Sequence, residues 1–253
     1  MKHLKIEAFK NDPEMQVVSL NRPEVKNAFH PEMIAEITDV FSRLASDSKT
    51  KAIILSGEGT AFCAGADLNW MKEMVNYTFE QNIKDSKKLW DMFDSIIQCP
   101  IPVIGVLHGA VYGGALGLAA CCDYVIADTK TQFCFSEVKL GLAPAVISSF
   151  VFRKIADGFA RPLMLSAEVF GTETALRMGL VHQMPTAFES WADELKKFSS
   201  NGLEAMKETK KLLNQITERP SWDDQERLTT RVISERRISS EAQARLKKFI
   251  EKK

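Results

Sequence analysis

The segment Ile101-Pro-Val-Ile-Gly-Val-Leu-His-Gly-Ala-Val-Tyr-Gly-Gly-Ala-Leu-Gly-Leu-Ala-Ala-Cys-Cys122 decides how this chain folds, because it contains no Asp, Glu, Lys or Arg. A stretch of this length is long enough to cross a bilayer as one helix. Pro102 and five glycines interrupt it, however, and both residue types are unfavourable inside a helix. We therefore predict a buried strand over 101–106, a glycine-rich loop over 108–114 and a short buried helix over 115–122.

A similar strand, loop and helix precede this segment. Residues 51–56 are a short apolar run, residues 62–67 are mostly small, and a helix is expected over 67–75. Further strands are expected at 3–9, 15–20, 123–127 and 132–135, and further helices after Pro31 and over 78–98. Two strand–loop–helix units in succession are typical of an α/β arrangement with crossover helices.

The chain from about residue 146 onward has helical spacing almost to its end. Strands with crossover helices followed by helices alone predict an α/β fold with a helical C-terminal region. We place the division so that residues 1–195 form the core and residues 196–253 form the helical region. The second part lacks an evident core of its own, so we expect it to pack on a neighbouring subunit.

The composition excludes several classes of protein. The 33 Lys and Arg residues balance 33 Asp and Glu residues, whereas nucleic-acid binding through phosphates usually needs an excess of cations. Five cysteines without a CxxC pair predict buried, reduced thiols in a cytoplasmic protein. The spacing of the four histidines (His3, His30, His108 and His182) shows no metal pattern. The first ten residues lack the apolar run of a signal peptide. We expect no nucleic acid, membrane, metal or separately bound cofactor.

Two loops of small residues are candidates for chemistry. Ala64-Gly-Ala66 and Gly113-Gly114 each follow a predicted strand and precede a predicted helix. The first backbone N–H groups of a helix lack partners and lie at the positive end of its dipole. Two such ends that face one point would stabilise a developing oxyanion. Tight turns for helix–sheet packing explain the same residues equally well, and the local sequence leaves both possibilities open.

Glu137 is the acid that stands out, because it ends the apolar run Gln132-Phe-Cys-Phe-Ser-Glu137. Apolar neighbours desolvate a carboxylate, which raises its pKa and suits it to general acid–base catalysis. The alternative is a carboxylate at a strand end that forms a salt bridge.

Taken together, these pieces resemble the crotonase family, that is, the enoyl-CoA hydratase/isomerase superfamily. The matching segments occur in the family's order and cover almost the whole chain. They are Asn21-Arg-Pro-Glu-Val-Lys-Asn-Ala28, Ala61-Phe-Cys-Ala-Gly-Ala-Asp67, His108-Gly-Ala-Val-Tyr-Gly-Gly114, Cys122-Asp123, Gln132-Phe-Cys-Phe-Ser-Glu137, Met178-Gly-Leu-Val181 and Phe249-Ile-Glu-Lys252. The resemblance implies a spiral of ββα units, a homotrimer or dimer of trimers, and an acyl-CoA thioester as substrate, with coenzyme A carried by that substrate.

The resemblance also implies roles for individual residues. The thioester carbonyl would lie between the backbone N–H groups of Ala66 and Gly114, with Glu137 as the acid–base catalyst. Ala28 and Ala64 match backbone contacts to adenine and pantetheine. Lys26 and Lys252 match positions near the phosphates of coenzyme A, which agrees with the slightly basic C-terminal quarter. The remaining candidates for substrate contact are Asp67, Leu68, Trp70, Gly113, Gly117 and Ser148, although Asp67 also suits a structural role at a helix start.

One departure limits the analogy. Typical hydratases of the family have two glutamates, and Gly117 occupies the position of the first. The variant resembles methylglutaconyl-CoA and isohexenylglutaconyl-CoA hydratases, which serve leucine and acyclic terpene breakdown. A distal carboxylate of the substrate would then replace the missing glutamate, or the space at Gly117 would admit a branched acyl chain. The alternatives are a Δ3,Δ2-enoyl-CoA isomerase with a single glutamate, and a non-catalytic acyl-CoA or RNA-associated binding protein.

Overall fold

The computed structural model describes residues 1–218, 221–242 and 244–245. Its strands are β1 (Leu4–Phe9), β2 (Asp12–Leu20), β3 (Ala52–Gly57), β4 (Val103–Leu107), β5 (Ala110–Tyr112), β6 (Tyr124–Ala127), β7 (Gln132–Cys134) and β8 (Phe170–Gly171). Its α-helices are α1 (Pro31–Leu44), α2 (Leu68–Met74), α3 (Phe79–Gln98), α4 (Gly114–Cys121), α5 (Ala145–Val151), α6 (Asp157–Ser166), α7 (Thr172–Arg177), α8 (Trp191–Glu194), α9 (Lys196–Ser199), α10 (Leu203–Thr217) and α11 (Trp222–Ile238). Short 3-10 turns lie at Pro23–Val25, Glu137–Leu140 and Phe188–Ser190.

The larger sheet has the strand order β1-β2-β3-β4-β6. β1 and β2 form the predicted antiparallel hairpin, and the other neighbours are parallel. All five residues of β4 are buried, which fits a parallel strand covered on both faces. One face packs against helices that include α1, α3 and α4. The other face is covered by the side chains of Phe188, Trp191, Leu195 and Phe198, among which Leu195 is buried.

The smaller sheet brings the second loop and the candidate acid together. β5 pairs in parallel with β7, so that Tyr112 lies beside Cys134. Segments that follow parallel neighbours emerge at the same edge of a sheet. Gly113, which follows β5, therefore lies beside the segment that follows β7 and leads to Glu137. The bond from the Gly113 N–H to the Cys134 carbonyl, 2.9 Å, fixes this register.

Most predicted elements are present, with three corrections. The strand predicted over 101–106 begins at Val103, because Pro102 before it has no N–H to donate to a ladder. The loop predicted over 108–114 contains β5, which lies between glycines at positive φ. The helical region predicted after 146 contains β8, where Phe170 pairs with Phe133 and their rings stack 5.4 Å apart.

The C-terminal region is helical where the structure describes it. Lys210 of α10 reaches back to the core, where its Nζ lies 2.7 Å from the Asp123 carboxylate. The division at residue 195 stays a prediction. All five cysteines are buried and free. Within the described part of the chain, no helix combines the length and the apolar composition that a membrane span requires.

Candidate active site

The first loop is held by the segment that precedes α1. The Phe29 N–H donates to the Gly65 carbonyl and the Asp67 N–H donates to the Phe29 carbonyl, both at 2.7 Å. Ala66 lies between the two residues that make these bonds, and in such a parallel bridge the N–H of the middle residue points away from the partner segment. Gly65 allows the turn because its φ is +100° and a Cβ would lie 3.2 Å from the Tyr112 carbonyl oxygen. The Ala66 amide therefore faces away from Phe29.

The second loop presents the first N–H of a helix. Gly114 is the first residue of α4, and Gly113 before it has a φ of 53°. Ala66 and Gly114 line one cavity of about 250 Å³. Within the described part of the chain, neither amide donates a hydrogen bond. The cavity thus has two available backbone donors that come from two different loops.

Glu137 lines the same cavity. It begins a 3-10 turn and is half-buried, and burial raises the pKa of its carboxyl above the ordinary value of 4.5. Its Oε2 is buried without a hydrogen-bond partner, and a Cβ at Gly113 would lie 3.4 Å from its Oε1. Among the described residues it forms no salt bridge. The predicted desolvation is confirmed, and the alternative of a strand-end ion pair is not.

The remaining wall is mostly apolar. Trp70 of α2 contributes an indole whose buried Nε1 has no close hydrogen-bond partner among the described residues, although its N–H acts to lower the pKa of the nearby Asp85 carboxyl. Met74 of the same helix also lines the cavity. Sequence reasoning had not identified the other lining residues, which are Phe29, Asp85, Ser86, Leu89, Leu142, Ala143, Pro144, Ala145, Val146 and Ile147. Burial raises the pKa of the Asp85 carboxyl. The i, i+4 spacing of Asp85 and Leu89 on α3 was a signal that these two share a face.

Gly117 does not line this cavity. It is buried in α4, and a Cβ there would lie 2.6 Å from Phe93 Cζ and 2.9 Å from Ile147 Cγ2. Both distances are shorter than any normal contact, so Phe93 and Ile147 already fill the volume that a side chain would need. The expectation that Gly117 leaves room for a branched acyl chain is therefore wrong.

Three further candidates lie outside the cavity lining. Asp67 caps α2 by accepting from the Asn69 N–H and forms a buried ion pair with Arg22 at 2.8 Å. Burial acts to raise the pKa of Asp67, but the hydrogen bonds from Arg22 and Asn69 outweigh it and hold this pKa below its ordinary value. Leu68 is 72% exposed. The Ser148 hydroxyl donates to the Pro144 carbonyl within α5. The structural role for Asp67 is the one that the geometry supports.

The candidates for coenzyme A contact adjoin the first loop. The Ala64 N–H donates to the Lys26 carbonyl at 3.0 Å, which joins the two segments. Ala28 is buried and Lys26 is exposed. Gly113 lies against the Glu137 carboxyl. Lys252 lies outside the described residues.

Comparison with known proteins agrees with this geometry. The family model for enoyl-CoA hydratase/isomerase matches residues 11–253. The chain is 31% identical over 210 residues to the short-chain-enoyl-CoA hydratase of Clostridium acetobutylicum, which covers 79% of this chain and 78% of that protein. An enoyl-CoA hydratase from Shewanella pealeana superposes with a TM-score of 0.93 at 34% identity, covering 99% of this chain and 94% of that one.

A third comparison gives the same fold. An enoyl-CoA hydratase/isomerase from Marinobacter aquaeolei superposes with a TM-score of 0.92 at 27% identity, covering 100% of this chain and 98% of that one. The predicted α/β fold with a helical C-terminal region is thus confirmed as the one that these structures share.

Proposed function

This chain belongs to the crotonase family of enoyl-CoA hydratases and isomerases, and on that premise we propose that it hydrates a 2-enoyl-CoA thioester through an enolate held by two backbone amides. One observation carries the proposal. Ala66, Gly114 and Glu137 all line one small, mostly apolar cavity, and among the described residues neither backbone N–H nor the Glu137 Oε2 has a hydrogen-bond partner. Donors, an acid–base group and an apolar wall are the parts that this reaction needs.

The two amides would act on the thioester oxygen. Attack of water on C3 of a 2-enoyl thioester moves an electron pair through C2 onto this oxygen, so negative charge develops there. Fixed donors in a site that excludes water favour this enolate over the uncharged substrate, and loss of one such donor typically costs about 3 kcal/mol. Ala66 and Gly114 match this demand because their backbone donors have no other partner.

Glu137 would handle the protons. As a carboxylate it takes one proton from the attacking water while the oxygen bonds to C3. As a carboxylic acid it then returns a proton to C2, which regenerates the thioester carbonyl. A pKa raised by burial brings the carboxyl closer to the operating pH, which favours both halves of this cycle. One carboxylate would serve both steps, because Phe93 and Ile147 fill the space for a second acid at position 117.

The finer substrate within this proposal is a branched or carboxylated enoyl-CoA of the methylglutaconyl type. The support is the sequence resemblance alone. Turnover of 3-methylglutaconyl-CoA above that of crotonyl-CoA is the expected result. Equal or faster turnover of crotonyl-CoA would remove this assignment and leave the hydratase proposal intact.

Two further parts of the proposal, a role in leucine degradation and a homotrimer or a dimer of trimers, rest on the family resemblance. A third part, a cytoplasmic location, rests on the five cysteines without a CxxC pair. The 3′,5′-ADP part of coenzyme A would lie near Lys26 and Lys252. The half-buried carboxyl of Glu137, whose Oε2 has no hydrogen-bond partner among the described residues, favours an enzyme over a non-catalytic acyl-CoA or RNA-associated binding protein.

A second candidate is a Δ3,Δ2-enoyl-CoA isomerase, which the packing around Gly117 specifically favours. A single glutamate can move a proton between C2 and C4 without activating water. Separate incubations with a 2-enoyl-CoA and a 3-enoyl-CoA in water enriched in oxygen-18 distinguish the two reactions. A hydratase adds labelled oxygen to the 2-enoyl-CoA and leaves the 3-enoyl-CoA unchanged, whereas an isomerase converts the 3-enoyl-CoA to unlabelled 2-enoyl-CoA.

Glu137→Gln tests the proposal directly, because it removes the acid–base group and keeps nearly the same shape. We expect kcat to fall about 10³-fold, with binding of a non-reactive acyl-CoA unchanged. Glu168→Gln is the matched control, since Glu168 is exposed and does not line the cavity. Turnover of the Glu137 variant within threefold of the control would exclude Glu137 from the mechanism.

A further inference from the structure

A second cluster of ligand-type side chains lies where the chain before β1 meets the start of α1. His3 Nε2 is 3.1 Å from Glu32 Oε2, His30 Nε2 is 3.3 Å from His3 Nε2, and His30 Nε2 is 3.5 Å from Glu32 Oε2. We propose that His3, His30 and Glu32 bind one divalent transition-metal ion of the zinc type. None of the three lines the candidate active site, so this inference is independent of the proposed function.

The size of this triangle fits a tetrahedral ion. Zinc binds imidazole nitrogen and carboxylate oxygen at about 2.0–2.2 Å. Two ligands at the tetrahedral angle around such an ion are about 3.3 Å apart, as follows from those bond lengths. The three observed separations, 3.1, 3.3 and 3.5 Å, lie around that value. The three donor atoms therefore already lie at the separations that one ion requires.

Hydrogen bonding explains the triangle less well than an ion does. Glu32 is ionised and accepts only, and each imidazole Nε2 carries a proton or a lone pair. If both Nε2 atoms carry protons, two N–H groups face each other across 3.3 Å. If either Nε2 lacks a proton, its lone pair faces the Glu32 oxygen. Every arrangement leaves one unfavourable contact, whereas a central cation accepts all three lone pairs.

The surroundings hold the ligands in place and leave access for an ion. The backbone N–H of His3 donates to the Glu36 carboxylate at 3.0 Å. The imidazole rings of His3 and His30 lie perpendicular to each other, with centroids 4.3 Å apart. Both histidine side chains are largely buried, and that of Glu32 is 68% exposed. An ion can thus enter from the Glu32 side, and three protein ligands leave a fourth position for water.

The nearby charges and the outer hydrogen bonds set the expected strength. The Glu32 and Glu36 carboxylates favour a cation, and the neighbouring Arg22 guanidinium is paired with Asp67 at 2.8 Å. His30 Nδ1 is buried, and no group in the described part of the chain forms a hydrogen bond with it. A metal-binding imidazole usually donates a hydrogen bond from its second nitrogen, and loss of that bond usually lowers metal affinity about 10–100-fold. We therefore expect reversible binding that is weaker than in a site where both imidazoles are anchored.

Calorimetric titration of the metal-free full chain with Zn²⁺ tests the proposal. We expect one ion per chain, and at least tenfold weaker binding in each of His30→Gln and Glu32→Gln. His108→Gln is the control, because His108 lies elsewhere and bonds the Gly59 carbonyl; it should bind zinc as the wild type does. Absence of binding to the wild type, or unchanged binding in both ligand variants, would overturn the proposal.

Two measurements keep the test valid if a variant folds poorly. Zinc at a hundredfold excess over the wild-type Kd should raise the Tm of the wild type by about 5 °C and that of the ligand variants by at most about half as much. The wild type with Co²⁺ should show tetrahedral ligand-field bands without a sulfur-to-metal band. An octahedral spectrum, or a sulfur band that indicates cysteine ligands, would contradict the assignment.

Discussion

Replacement of Gly117 by alanine probes the packing that sets this chain apart from two-glutamate hydratases. The new Cβ would lie 2.6 and 2.8 Å from Cζ and Cε1 of Phe93 and 2.9 Å from Cγ2 of Ile147. Overpacking of this kind costs about 1–3 kcal/mol, while alanine gains about 1 kcal/mol over glycine inside a helix. We expect the free energy of unfolding to fall by about 1 kcal/mol in total, since the first effect exceeds the second.

A second glycine supplies the control for this prediction. Gly158 lies in α6, and a Cβ there would meet nothing within 4 Å. Gly158→Ala should therefore raise the free energy of unfolding by up to about 1 kcal/mol. Urea denaturation followed by circular dichroism measures both variants. If Gly117→Ala is as stabilising as Gly158→Ala, the packing argument is refuted.

A double variant locates the clash. Leucine lacks the Cζ and Cε1 atoms of Phe93, so Phe93→Leu removes the two shortest contacts. Gly117→Ala should then be less destabilising in the Phe93→Leu background than alone, with a coupling of about 1 kcal/mol. Strict additivity would show that Phe93 does not limit the volume at position 117.

Two further predictions concern buried charge. The pKa of Glu137 is raised by burial, so its contribution to stability is present below the ordinary carboxyl pKa and is lost as pH rises through the folded value. The Tm of Glu137→Gln should thus rise relative to that of the wild type as pH rises through that interval. A Tm difference that stays constant between pH 4 and 8 would argue against desolvation of Glu137. In the wild type, kcat/KM should fall at low pH because acid protonates the catalytic base. Arg22→Met leaves the Asp67 carboxylate buried without its partner and should lower the free energy of unfolding, measured by urea denaturation, by about 3 kcal/mol. Arg161→Met is the control, because it removes an exposed ion pair. Equal losses of stability in the two variants would contradict the role of the Arg22–Asp67 pair.

The elements that local patterns define were predictable from the sequence. The charge-free run at 101–122 contains a buried strand and a buried helix, and its glycines place the second loop between them. Glu137 was identified as the desolvated acid from the apolar run that precedes it in the sequence. The cavity that it lines is also built from Phe29 and Trp70, which are distant in the sequence, so the local run indicated the desolvation without showing what causes it.

The features that depend on distant contacts were not predictable. β8 has two residues and exists only because Phe170 meets Phe133 across the smaller sheet. The role of Gly117 depends on Phe93, which belongs to another helix. His3 and His30 are far apart in the sequence, so no spacing rule relates them, although β1 and α1 bring them into contact. Each of these features needs the tertiary packing before it can be inferred.

The central claim, that the Gly114 N–H stabilises the enolate, has a direct test in two substitutions at one position. Gly114→Pro removes this N–H at the first residue of α4, where proline is tolerated, while Gly114→Ala keeps the N–H and places a similar Cβ against the Phe29 ring. The account predicts a kcat/KM for enoyl-CoA hydration that is about 10²-fold to 10³-fold lower in the proline variant than in the alanine variant. Equal kcat/KM values in two folded variants would contradict it.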